Sequence, residues 1–305
     1  MLRTISTFLI AAPLFLAAPA VRAEPVVASF DFSKTTIELD VSIKGVPLHM
    51  LLDTGVNPSV VDLARADALG LPVDRGDAGE ASGFGDGKGA TIFPSRVEGL
   101  TLGGHGFGAF DALATDMGGI SAGYGRKLDG ILGYSFLSDK IVLVDYPGAR
   151  LGFLAKAGEA DAFTRGCRTR WSIPLKTHDS FPVIAQFRFG AATAPVTFDT
   201  GSNGNIGLFQ SALDLPGVRA KLRETGSVTR TGARGEAKSK TYTLDAPVGF
   251  GPFTVPPGVT VSTYSEQGST DTRVANVGNR LMASLKLKLL LDYPGETITF
   301  YGDCG

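Results

Sequence analysis

The chain carries the tripeptide Asp-Thr-Gly twice, in LLDTG at residues 51–55 and in VTFDTGS at residues 196–202. Each copy directly follows an apolar run, and the second aspartate lies 146 residues (199 − 53) after the first. One such tripeptide arises often by chance, whereas two copies at matching places indicate a duplicated chain. The pattern predicts that Asp53 and Asp199 come face to face, one from each half.

An aspartate pair of this kind has a defined chemistry. Two carboxylates held close together cannot both ionise, because their charges repel, so one of them keeps a proton. The pair then offers a general base and a general acid at one point, which are the groups needed to split an amide with water.

The duplication extends beyond the two tripeptides. The sequence DYPG at 145–148 returns at 292–295, and LG at 132–133 is matched by VG at 277–278. Because the repeat is the size of a domain, it indicates two lobes and not a solenoid. The predicted division is a first lobe at 24–155, a linker at 156–170 and a second lobe at 171–305.

The composition and patterning favour an all-β fold. The chain has 40 glycines, and short alternating runs are separated by Gly and Pro turns. Residues 36–43 alternate as a strand, and residues 48–52 form the strand that delivers Asp53. A helix is predicted to follow at 58–69, with Asn57 as its N-cap and Pro58 in its first position.

These motifs resemble those of the aspartic peptidases of the pepsin and retropepsin superfamily. The stretch DGILGYSFL at 129–137 is similar to the hydrophobic-hydrophobic-Gly segment of that superfamily, and residues 57–71 resemble its bacterial retropepsin-like branch. The chain looks like two retropepsin-like domains fused in tandem. The resemblance implies a bilobal all-β acid-protease fold, endopeptidase activity on peptides or proteins without a cofactor, and a monomer whose lobes form an intramolecular pseudo-dimer.

The resemblance also implies roles for individual residues. Asp53 and Asp199 would be catalytic, and Thr54 and Thr200 would interlock across the lobe interface. The supporting residues expected around them are Gly55, Gly201 and Ser202. Two Gly-rich hairpins would be flaps that close over the substrate, with tips at Gly83, Phe84, Gly85, Gly232 and Arg234.

Two positions depart from the family pattern. Val56 stands where the family has Ser, Thr or Ala, so Asp53 lacks the hydroxyl support that Ser202 can give to Asp199. The second Gly segment, NVGN at 276–279, is more polar than its counterpart ILG at 131–133. An inactive, exported peptide-binding or scaffold protein of the same fold is therefore the alternative. If the protein is active, Asp53 is expected to carry the shared proton more often.

The chain has two cysteines, Cys167 and Cys304, near the two ends of the second lobe. In an oxidising compartment this placement predicts a disulfide that closes the lobe, and two free thiols are the alternative. No metal site is predicted, because the cysteines and the scattered His49, His105 and His178 have no ligand spacing.

The N-terminus reads as a secretory signal. Arg3 precedes an apolar run at 8–20, and Val21 and Ala23 provide the small residues of a cleavage site after Ala23; an uncleaved anchor is the alternative. Removing Arg3 and Arg22 changes the net charge from −1 to −3. The mild charge argues against nucleic-acid binding, and no membrane span is expected after cleavage. The predicted location is periplasmic or secreted, in a bacterium.

Overall fold

The computed structural model describes residues 25–304 except 179–180, 190–191 and 265–274. The predicted signal sequence at 1–23 lies outside the described residues. Within the described part of the chain, no helix has both the length and the apolar composition to cross a membrane.

The chain consists mainly of strands, with a few short helices. The first half contains β1 (Val26–Ser29), β2 (Glu38–Ile43), β3 (Val46–Leu52), β4 (Ser59–Asp62), α1 (Leu63–Ala68), β5 (Gly79–Glu80), β6 (Thr91–Val97), β7 (Leu100–Leu102), β8 (His105–Gly106), β9 (Phe110–Thr115), α2 (Gly118–Tyr124), β10 (Gly130–Leu132), α3 (Tyr134–Leu137), β11 (Ile141–Asp145) and β12 (Arg150–Leu154).

The second half repeats this arrangement. It contains α4 (Asp161–Thr164), β13 (Cys167–Pro174), β14 (Lys176–His178), β15 (Phe181–Phe189), β16 (Ala192–Asp199), β17 (Ile206–Leu208), β18 (Leu222–Gly232), β19 (Gly235–Leu244), β20 (Val248–Phe250), β21 (Phe253–Val255), β22 (Thr260–Thr263), β23 (Ala275–Gly278), α5 (Asn279–Ser284), β24 (Lys288–Asp292) and β25 (Thr297–Cys304). Short 3₁₀ helices lie at Ala157–Ala160, Gln210–Asp214 and Arg219–Lys221.

Each half forms its own sheet, and the strand orders match. The order is β5-β6-β9-β4-β10-β3-β2-β7-β8 in the first half and β18-β19-β22-β17-β23-β16-β15-β20-β21 in the second. Every strand of the first sheet therefore has a counterpart at the same place in the second. The predicted two-lobe, all-β protease fold is confirmed.

A third sheet joins the two halves, in the order β1-β12-β11-β24-β25-β13. Its central strands are buried on both faces, which explains why they read as continuous apolar runs. Val142 and Val144 pack into the main core, whereas Leu143 on the opposite face packs with Leu154 and Ala160. The DYPG turns connect β11 to β12 and β24 to β25. In each turn the Asp side chain accepts a hydrogen bond from the Gly N–H, at 3.0 Å for Asp145 and 2.8 Å for Asp292.

One local prediction was wrong. The helix predicted from Pro58 begins only at Leu63, because the β-branched run at 59–62 continues the sheet as β4 between β9 and β10. The N-cap is therefore Asp62, whose side chain accepts a hydrogen bond from the N–H of Arg65 at 3.1 Å. The segment predicted as a linker includes α4 and the start of β13.

The predicted disulfide between Cys167 and Cys304 is present. The two cysteines are opposite each other at the end of the β13–β25 ladder, so the bond joins these two paired strands covalently.

Candidate active site

The two Asp-Thr-Gly loops meet at the interface between the halves. Asp53 follows β3, and Asp199 is the last residue of β16; both strands lie inside their sheets, where each pairs in parallel with the strand that carries the Gly segment. The buried Asp53 side chain lies against Gly201 of the opposite loop, the same glycine whose N–H donates to Asp199 Oδ1 at 2.8 Å. A Cβ at Gly201 would lie 2.0 Å from Asp53 Oδ2, so only glycine permits this approach.

The threonines interlock across the interface. Thr54 Oγ1 donates to the carbonyl of Phe198 at 2.9 Å, and Thr200 Oγ1 donates to the carbonyl of Leu52 at 2.7 Å. Each hydroxyl also accepts the backbone N–H of the opposite threonine, at 2.9 and 3.1 Å. Both threonines are fully buried. These four hydrogen bonds fix the two loops relative to each other and so hold the aspartates together.

Backbone donors serve both aspartates. Asp53 Oδ1 accepts the N–H of Gly55 at 2.7 Å, and Asp199 Oδ1 accepts the N–H of Gly201 at 2.8 Å. Asp199 Oδ1 receives a further N–H from Ser202 at 3.1 Å, whereas the Ser202 hydroxyl accepts the N–H of Gly204 at 3.4 Å. Ser202 thus supports Asp199 through its backbone.

A side-chain amide makes the pair unequal. Asn276 Nδ2 donates to Asp199 Oδ2 at 2.7 Å and also contacts the Tyr264 hydroxyl at 3.0 Å. The equivalent position in the first lobe is Ile131, which packs in an apolar cluster with Leu51 and gives Asp53 no donor. Hydrogen bonding to a carboxylate stabilises its charged form. The polar Asn276 in the second Gly segment therefore gives Asp199 a side-chain donor that Asp53 lacks.

Burial and charge act in the same direction on Asp53. Burial raises the pKa of Asp53 well above its usual value, and the neighbouring charge of Asp199 raises it further. Val56 contributes no polar group here, since its side chain packs against the apolar cluster around Leu51, Met117 and Ile131.

Two tyrosines and an asparagine beneath the pair were not predicted from the sequence. Tyr146 of the first DYPG turn donates to Asn279 Oδ1 at 2.6 Å, and Asn279 Nδ2 donates to the carbonyls of Thr200 and Ser202 at 2.5 and 3.2 Å. In the other direction, Tyr293 of the second turn reaches the ring of Tyr134. Each repeated turn thus supports the opposite lobe. The repetition of DYPG was the available signal, but it does not show which lobe the tyrosine contacts.

The predicted flaps meet each other above the site. The second flap is the long hairpin β18–β19, and the first is an irregular loop at 81–90 between β5 and β6. Arg234 N–H donates to the carbonyl of Phe84 at 3.0 Å, and the N–H of Gly87 donates to the carbonyl of Arg234 at 2.8 Å. A Cβ at Gly85 would lie 2.5 Å from the Arg234 backbone, and one at Gly232 would lie 2.4 Å from the Phe84 oxygen.

The flap glycines are therefore required by the close contact between the tips, and Gly83 packs near Ala233 in the same contact. The Phe84 ring also reaches across to the second lobe, where it makes an edge contact with Tyr264 at 5.6 Å. Tyr264 stacks on Phe209 at 4.6 Å. The contacts Phe84–Tyr264, Tyr264–Asn276 and Asn276–Asp199 form a continuous path from the first flap to the aspartate pair.

Comparison with known proteins agrees with this geometry. Residues 39–136 match the family model for aspartyl proteases, a range that includes the first Asp-Thr-Gly loop, the first flap and the first Gly segment. None of the curated proteins matches the chain. The family match identifies the first lobe as an aspartyl protease domain of the pepsin and retropepsin-like clan, and the second lobe repeats its strand order.

The contact between Asn276 and Asp199 leads to a testable prediction. Asn276→Leu removes this side-chain donor from Asp199, the candidate general base, so kcat/KM is expected to fall by about tenfold or more, the scale of a hydrogen bond to a charged group. The matched control is Ile131→Leu at the equivalent position of the first lobe, which should leave kcat/KM unchanged. An unchanged kcat/KM in the Asn276→Leu protein would contradict the assigned role of Asn276.

Proposed function

We propose that this protein is an aspartic endopeptidase in which Asp53 and Asp199 form the catalytic pair. The observation that carries the proposal is that the Asp53 and Asp199 carboxyl groups both lie against Gly201, at a lobe interface fixed by Thr54 and Thr200. Gly55, Gly201 and Ser202 supply the backbone donors around the pair.

The unequal surroundings of the pair define the proposed mechanism. Asp199, with the larger set of donors, is the ionised base, and Asp53 carries the shared proton. Asp199 removes a proton from a water molecule, which attacks the peptide carbonyl, while Asp53 donates its proton to the developing oxyanion. The tetrahedral intermediate then breaks its C–N bond as Asp199 gives its proton to the leaving nitrogen and Asp53 takes a proton from a hydroxyl of the intermediate, which becomes the product carboxyl group. Asp199 is then ionised and Asp53 protonated, as at the start.

The proposed substrate is an extended peptide lying between the aspartate pair and the flaps. A peptide strand there can hydrogen-bond to the flap backbones, as in strand addition to a sheet edge. The flap tips are already joined by hydrogen bonds between residues 84–87 and 234–236, so substrate entry requires these bonds to open. Closing the flaps again would exclude water from the reaction.

The cellular setting is part of the proposal. The N-terminal 23 residues have the features of a cleaved signal sequence, and a disulfide is typical of proteins that fold in an oxidising compartment. We place the mature protein in the periplasm or outside a bacterial cell, as a monomer of two lobes at 24–155 and 171–305 joined by 156–170.

The test is cleavage of a denatured protein mixture across acid to neutral pH, with and without pepstatin. A peptidase gives fragments whose formation pepstatin blocks and whose rate falls at both pH limits. An exported peptide-binding protein of the same fold, the alternative raised by Val56, would bind the same peptides and release them intact. Intact peptides at every pH would therefore contradict the proposed activity.

A further inference from the structure

Arg230 has an unusual position on the second flap. It lies on β18, two residues before Gly232, and both of its terminal nitrogens are 3.7 Å from where a Cβ of Gly204 would be. Its neighbour Thr231 faces the other way, against Gly123 of α2, as expected for adjacent residues of a strand. The Arg230 guanidinium thus points from the flap to the floor of the cleft, beside the loop that follows Asp199.

The surroundings of Arg230 are positive and contain no carboxylate partner among the described residues. The side chain is largely shielded from solvent, and burial lowers the pKa of Arg230; Tyr264 partly offsets this effect, and the charge of Arg280 adds to it. Among the described residues, the Arg280 guanidinium donates to two neutral oxygens, the carbonyl of Asn203 at 3.3 Å and the Thr35 hydroxyl at 3.4 Å. Both guanidinium groups thus lie against the same short loop, Arg230 beside Gly204 and Arg280 on the carbonyl of Asn203, and no carboxylate of the described residues pairs with either one.

Such an arrangement is unfavourable unless a ligand compensates it. A shielded cation without a partner loses hydration free energy, and a carboxylate restores it through short, charge-assisted hydrogen bonds. The cleft between flap and floor is where an extended peptide would lie, and alternate side chains of an extended peptide point towards each wall. A side chain that points towards Gly204 would meet Arg230.

We propose that Arg230 and Arg280 form an anion-binding subsite that selects peptides with an Asp or Glu side chain near the scissile bond. This inference rests on the proposed function, since it assumes that peptides occupy the cleft. The subsite exists in one lobe only: Ser135 stands at the first-lobe position equivalent to Arg280, and its hydroxyl is bonded to Ser59 at 2.9 Å. An acidic residue would therefore also fix the direction in which the peptide lies.

The experiment uses sets of peptides that differ at one position, occupied by Glu, Gln or Lys, with that position moved along both sides of the cleaved bond. At one position we expect Glu to exceed Gln in kcat/KM by about tenfold or more, the scale of a charge-assisted hydrogen bond. Arg230→Gln should remove the difference between Glu and Gln, and Arg230→Glu should reverse it in favour of Lys. The control is Arg223→Gln on the same strand, where the guanidinium pairs with Asp245 at 3.1 Å away from the tip.

Further measurements separate the possible results. Peptides with an amidated C-terminus distinguish a side-chain carboxylate from a terminal one; a preference that needs the free terminus would overturn the assignment to Asp and Glu side chains. Calorimetric binding of the same peptides separates recognition from turnover. Cleavage without any preference for Glu would contradict the anion-binding subsite and would still support the proposed peptidase activity. Binding that favours Glu, without cleavage, would support the subsite and contradict the peptidase; neither binding nor cleavage would contradict both.

Discussion

Asp53→Asn and Asp199→Asn will each reduce kcat/KM by about 10²–10⁴ or more, the contribution of a positioned acid or base. Asparagine has nearly the same shape and can remain within the loops, but it can neither hold nor release the proton. In the proposed mechanism the two carboxyl groups act as one unit, so the double variant is expected to lose little more than either single variant. Steady-state kinetics on one cleaved peptide measures all three.

A matched control separates this effect from a general loss of carboxylates. Asp139→Asn changes an exposed side chain that pairs with Lys140, and it should leave the kinetics unchanged. A single dyad variant that keeps more than about a tenth of the wild-type activity would show that the two-aspartate mechanism is wrong, since the loss would then be far below that of an acid–base group.

The pH dependence of stability gives a second readout for Asp53. Its folded pKa is raised, so the folded protein holds this proton more tightly than the unfolded chain does. Protonation of Asp53 therefore contributes its full stabilisation of the folded wild-type protein below the unfolded pKa of about 3.9. This contribution is lost as the pH rises towards the folded pKa of Asp53. Asp53→Asn does not titrate, so its melting temperature relative to wild type is expected to increase over that pH interval.

Much of the site was predictable because its residues act close to where they lie in the sequence. An apolar strand ending in Asp-Thr-Gly delivers the aspartate at the strand end, and the duplication indicates a partner of the same kind. The interlocked threonines follow from the resemblance for the same reason. The positions of the paired aspartates and threonines depend on the local geometry of each Asp-Thr-Gly loop and on the pairing of the two lobes, and the sequence repeat indicates both.

The remaining features depend on which segments cross in space. Asn276 looks like a polar interruption of a buried strand, and its bond to Asp199 becomes visible only when β23 lies beside β16. Arg230 and Gly204 are far apart in the sequence and meet only because the second flap folds over the loop after Asp199. The start of α1 was misplaced because Asn57-Pro58 has the composition of a helix start, whereas the strand that follows is held by pairing with β9 and β10.

The double variant Cys167→Ser/Cys304→Ser is expected to lower the free energy of unfolding by about 4–5 kcal/mol, the chain-entropy value for closing a loop of this size. The bond joins residues 137 positions apart and so restricts most of the second half of the chain when it is unfolded. Since domains are stable by only about 5–15 kcal/mol, this is a large part of the total.

The bond lies at the end of the β13–β25 ladder, in a small apolar cluster with Leu143 and Tyr301 that is separate from the cluster beside Asp53. Denaturant unfolding of the double variant, and of the wild type with and without a reductant, measures the effect. The kcat/KM of the folded variant at low temperature should remain at the wild-type level, because the loops that hold the aspartates keep their own hydrogen bonds. A loss of stability under about 1 kcal/mol would show that the unfolded chain is already compact enough to make the cross-link unimportant, and free thiols in exported protein would show that the bond does not form.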